Sequence, residues 1–108
     1  MNDNYNIIYS PQAKDDIKNI YSYIAFELQV PDTARKQINR IREKIRSLDL
    51  MPARYGIVDW EPWQSMSMHK LLVDNFIVYY TAHSDTLIVT IIRIVYERMD
   101  TQSIIKTE

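Results

Sequence analysis

The stretch "TLIVTIIRIVY", residues 86–96, constrains the fold more than any other part of this chain. Its β-branched residues occupy both alternating faces, so it reads as a central strand that needs cover on each side. Arg93 interrupts the run and must find a partner or reach solvent. By alternation Arg93 shares a face with Leu87, Val89, Ile91 and Val95, whereas Tyr96 points the other way. The run ends in "ERMD", where Arg98 and Asp100 follow at the strand exit.

Two helices supply one layer of that cover. Ser10-Pro11 reads as an N-cap with proline at the first helical position, and Asp15 and Asp16 fall near the helix start, where the macrodipole favours negative charge. Ile17, Ile20, Tyr21, Ile24 and Leu28 recur at spacings of three and four, which predicts a helix over 11–28 with one buried face. "VPD" (30–32) stops it and starts another, with Ala34, Ile38, Ile41, Ile45 and Leu48 on a single stripe and basic residues over much of the rest. So short a connection forces an antiparallel hairpin.

The remaining elements are strands and one loop. "YNIIYS" (5–10) reads as a first strand, and "SMHKLLV" (67–73) and "FIVYYTA" (76–82) flank Asp74-Asn75, a pair suited to a two-residue hairpin turn. "HSD" (83–85) reads as the next turn, and "TQSIIKTE" as a weak helix or disordered end. Residues 51–66 hold two of the four prolines and the only glycine, a loop long enough to be functional. Its Trp60 and Trp63 are read as a lid folded back on the core, the alternative being a sticky surface shown to a partner. The order β-α-α-β-β-β predicts an α+β domain over residues 1–108, a helix hairpin packed on a small, mostly antiparallel sheet.

Several chemistries are excluded. One glycine cannot build a phosphate-cradling loop, His69 and His83 have no partners at metal-ligand spacing, and no serine sits in an elbow motif. The absence of cysteine removes disulfides and thiolate metal sites and fits a reducing cytoplasm. No apolar run approaches the roughly 20 residues that cross a bilayer, and no secretory signal opens the chain. The net charge of −1 is unevenly spread: residues 33–54 carry seven basic and two acidic groups, between two acidic segments of −3 each. Attraction to nucleic acid is therefore local if it occurs, and a solvated helix face accounts for the same charges.

The opening "YNIIYSPQAKDDIKNIYSYI", the hairpin "KLLVDNFIVYYT" and the closing "IIRIVYERMD", in this order, resemble the RelE/ParE family of bacterial type II toxins over about residues 5–105. The resemblance implies a growth-inhibiting toxin, neutralised by a co-encoded antitoxin whose C-terminal segment wraps helix and sheet surface in a hetero-oligomer. No cofactor and no metal are implied. Candidate antitoxin contacts are Ile38 and Ile41 on the hairpin and Trp60 and Trp63 in the loop.

The family divides by target. Its RelE-like branch cleaves mRNA on the ribosome, which takes a group to activate the ribose hydroxyl, a cation for the phosphate and a proton donor. Lys70, Tyr96 and Arg98 are the candidates for those roles here. The third-strand position where that branch carries an arginine falls at Ile77, and no Tyr or His follows Arg98. The ParE-like branch inhibits DNA gyrase without a catalytic constellation, and its last strand often ends in a stretch like "LHERMD". "VYERMD" (95–100) resembles this, with Tyr96 where His is usual, making Arg93, Tyr96, Arg98 and Asp100 the candidate target-binding residues. A net charge of −1 is unfavourable for entering the ribosome. The ParE-like reading is preferred on both counts. A member that binds antitoxin without being toxic is a third reading.

Overall fold

Residues 4–97 are described by the computed structural model of the protein. A short strand, β1 (Asn6–Tyr9), leads into the helix hairpin α1 (Pro11–Ser22) and α2 (Pro31–Arg46), and the chain closes with β2 (His69–Val73), β3 (Phe76–His83) and β4 (Ile88–Tyr96). The four strands form one sheet in the order β1-β4-β3-β2, with β1 parallel to β4 and the other pairs antiparallel. This is the α+β arrangement expected from the sequence. The C-terminal residues 98–108, including Arg98, Asp100 and the tail reading, lie outside the described residues.

β4 is central, and both its faces are covered. On one side Val89, Ile91 and Ile94 pack with Ala13, Ile17, Ile38, Ile41, Ile45 and Leu48 from the helix layer. On the other, Val95 packs with Val58, Met68, Ile77 and Tyr79, and Trp60 and Trp63 close over this second core. The loop is thus a lid, held by a short ladder in which Val58 donates to Met68 and Lys70 donates to Gly56. Its first turn is tied down where the Tyr80 hydroxyl donates to the Pro52 carbonyl.

Alternation in β4 fails at one point. Tyr79 pairs with Arg93 but Tyr80 pairs with Ile91, so Ile92 is an extra residue, a β-bulge. Because side chains alternate with period two, one inserted residue reverses the phase of everything beyond it. Val95 therefore joins the second core, and Ile94 and Tyr96 face the helices, which corrects the grouping of Val95 with Ile91. Leu87 also leaves the strand: its φ is 57°, and β4 starts one residue later. His83 ends β3 rather than opening a turn.

The first helix also departs from expectation. Ser10 caps it as read, accepting from the Ala13 N–H at 3.0 Å. After Ser22, however, the backbone widens into a π-turn over Tyr23–Glu27, in which Leu28 donates to the Tyr23 carbonyl five residues back. The wider turn shifts the helical phase, and Gln29 at φ 59° then reverses the chain. Leu28 is 52% exposed instead of buried, beside exposed Tyr23 and Phe26.

Candidate functional site

The short β1 creates the main surface feature. It pairs with β4 only through Ile91, so among the described residues the outer edge of β4 beyond that point has no neighbouring strand. Between this edge and the π-turn lies a groove of about 620 Å³, lined by Ile20, Tyr23, Ile24 and Leu28 on the helix side and by Phe76, Ile94, Val95 and Tyr96 on the sheet side. Asp16, Asn19, Gln37, Asn75 and Arg93 add polar groups to its wall.

The exposed strand edge is capped by side chains from α1. Ser10 Oγ donates to the Ile92 carbonyl at 2.8 Å, and the Asp16 carboxylate accepts from the Ile94 N–H at 2.8 Å. Arg93 completes the arrangement: its Nε lies 2.9 Å and its Nη2 3.2 Å from the two Asp16 oxygens. With the two side chains 15% and 12% exposed, this is a largely desolvated, two-pronged pair. Asp16 lies beyond the first turn of α1, too far in to serve the macrodipole, and binds the β4 edge instead. Arg93 is thereby engaged in joining α1 to β4.

The other predicted residues are scattered. Tyr96 lines the groove, its ring 5.6 Å from that of Phe76. Lys70 lies on the opposite face of the sheet: it pairs with Tyr79 of the second core, whereas its neighbours Leu71 and Val73 belong to the helix-side core. The sheet thus separates Lys70 from Tyr96. Ile77, at the position of the missing cation, is buried in the second core. Ile38 and Ile41 are 7% and 0% exposed, in the helix-side core, which corrects their assignment to a partner surface. Trp60 and Trp63 are half-buried in the lid, Trp60 edge-on to Tyr79. Among the described residues no group of three His, Cys, Asp or Glu could hold a metal ion. Nor is any described helix long and apolar enough to cross a membrane.

Sequence reasoning missed the groove. The available signal was the crowding of Tyr21, Tyr23, Ile24, Phe26, Leu28 and Val30, more apolar residues than one helical stripe can bury.

Electrostatics elsewhere are structural. Asp74, in the left-handed region at φ 55°, accepts from Arg40 at 2.7 Å and Gln37 at 2.9 Å, clasping the β2–β3 turn to α2. These bonds, that from Arg40 foremost, hold its carboxyl below the usual range. Burial pushes the Tyr80 hydroxyl well up, and the hydrogen bond from Arg54 draws that of Tyr55 down.

A helix hairpin packed on one face of a four-stranded sheet is the fold of RelE/ParE-type toxins. Residues 7–101 match the model of the ParE toxin of the type II toxin-antitoxin system parDE, and the chain belongs to that family. Among solved structures, the chromosomal ParDE toxin-antitoxin system from P. aeruginosa matches at TM-score 0.69 and 19% identity, over 85% of this chain and 95% of that one. The RelBE2 toxin-antitoxin complex from Mycobacterium tuberculosis matches at 0.63 and 14% identity, over 86% and 91%. The archaeal RelE-RelB complex from Pyrococcus horikoshii OT3 matches at 0.60 and 11%, over 88% and 97%. No curated protein sequence matches the chain.

Proposed function

We propose that this toxin acts by binding DNA gyrase, in the manner of the ParE-like branch, and not by cutting mRNA. The observation that carries this reading is the placement of Lys70 and Tyr96 on opposite faces of the sheet. A phosphodiester cleavage site needs its acid, base and cation within hydrogen-bond reach of one substrate. The face that holds Lys70 also has Ile77 and Tyr79 buried in the second core beside the tryptophan lid, leaving no second cation beside it on β3.

The groove is the seat of the antitoxin in this reading. Its strand edge is already capped at Ile92 and Ile94, so an occupant gains little from strand pairing there and binds through side chains. An amphipathic helix, placing an apolar face against Tyr23, Leu28 and Phe76, fits those conditions.

The test is to add purified toxin to a gyrase supercoiling reaction and, separately, to a cell-free translation reaction. Supercoiling should fall as toxin approaches the gyrase concentration, with translation unaffected. Loss of translation with cut mRNA would make this a ribosome-dependent nuclease. Loss of neither would make it a non-toxic antitoxin binder.

A further inference from the structure

The groove and the strand edge do not account for the basic character of residues 33–54, which carry seven of the thirteen Lys and Arg residues. The structure divides that charge unequally. Arg40 is held by Asp74, and Arg54 donates to the Ser47 and Leu50 carbonyls at the end of α2, so both have structural partners. Arg35, Arg42 and Arg46 are different. Their spacing of seven and then four residues places them within a sector of about 40° on one flank of the helix, along about 16 Å of its axis. All three are exposed, and Asn39 lies in the same row.

The row is lightly neutralised. Among the described residues neither Arg42 nor Arg46 has a carboxylate within ion-pair distance. Arg35 pairs with Asp32 at 2.6 Å, but with side chains 62% and 80% exposed that pair contributes little and exchanges readily. Burial raises the Tyr9 hydroxyl while the charges of Arg42 and Arg46 lower it, so this end of the row lies towards the end of β1.

We propose that this flank of α2 binds the phosphate backbone of double-stranded DNA without reading its sequence. A straight, rigid row of guanidinium groups suits the regular phosphates of a duplex. A single strand is held chiefly by bases stacked on exposed aromatic rings, whereas Tyr9 is half-buried against the core. The crest of the helix mixes Asp32 and Glu43 with Lys36, so the unbroken row of positive charge lies on the flank. The proposal goes beyond gyrase binding and does not depend on it.

Fluorescence anisotropy of the full-length protein with a labelled 20-base-pair duplex tests it. With three phosphates neutralised, affinity should fall about 40-fold between 50 and 200 mM salt. Arg42→Gln/Arg46→Gln should lose roughly tenfold or more at 50 mM and flatten the salt dependence to about fourfold. The control Lys14→Gln/Lys18→Gln, which removes the same charge from α1, should bind like the parent, and circular dichroism should show all three proteins equally folded. Equal loss in both variants, or no binding at 50 mM salt, overturns the proposal. So does tighter binding of a single strand, and so does polyglutamate competing as well as the duplex, which would assign the row to an acidic protein segment.

Discussion

Asp16 has the most consequential placement of any single residue in this molecule. One carboxylate accepts from the Ile94 N–H and from two nitrogens of Arg93, so helix, strand edge and guanidinium meet at one side chain. Charges this far out of water are costly to leave unpaired, and breaking such a pair destabilises more than replacing it whole. Asp16→Ala is expected to cost about 3–5 kcal/mol, because Arg93 and the Ile94 N–H both lose their partner. Asp16→Leu/Arg93→Met should lose less than Asp16→Ala does. Urea denaturation with unchanged m-values checks this, and a double variant less stable than the single one would refute it.

At the scale of elements, α2 is fastened at two points of its exposed surface. Its C-terminus is closed by Arg54, and its middle is clasped to the β2–β3 turn through Asp74. The Asp74 carboxyl is held below its unfolded value of about 4. Its contribution is therefore fully present above that value and is lost as pH falls through the lower, folded one. Being exposed, the clasp contributes at most about 1 kcal/mol. Asp74→Asn, which keeps a residue tolerant of positive φ, should lower stability at pH 7 by that amount and weaken the decline below pH 4. Equal pH profiles for parent and variant would show that the clasp does not form. The π-turn is the other decisive element, since it turns Tyr23, Phe26 and Leu28 outward and so opens the groove.

For the molecule as a whole, the two faces of the sheet have different fates. One receives the helices. The other receives the tryptophan lid, and among the described residues the groove opens at the edge of β4 beside the hairpin. Tyr23→Asp and Leu28→Asp fall on exposed groove positions, 57% and 52% accessible, and should leave folding within about 0.5 kcal/mol of the parent. If the antitoxin occupies the groove, each should weaken its binding tenfold or more while growth inhibition persists. Titration calorimetry and plating under induction measure the two effects separately. Unchanged antitoxin affinity would remove the groove from the interface.

Much of this was legible without coordinates. The stripe Ala34, Ile38, Ile41, Ile45 and Leu48, the Ser10 cap, the Asp74-Asn75 turn and the centrality of β4 all follow from local periodicity and capping, which act over a few residues and leave their mark in sequence. The bulge at Ile92, the π-turn after Ser22 and the pairing of Asp16 with Arg93 do not. Each is one residue of phase or one contact between segments far apart in the chain, and periodicity cannot record either. The bulge brings Ile94 and Tyr96 onto the helix side with Ile91, and the π-turn opens the groove beside them. Sequence alone determined the layers of this protein. Tertiary structure decided which surfaces they leave for a partner, because a phase shift of one residue is invisible to local pattern yet reverses every side chain beyond it.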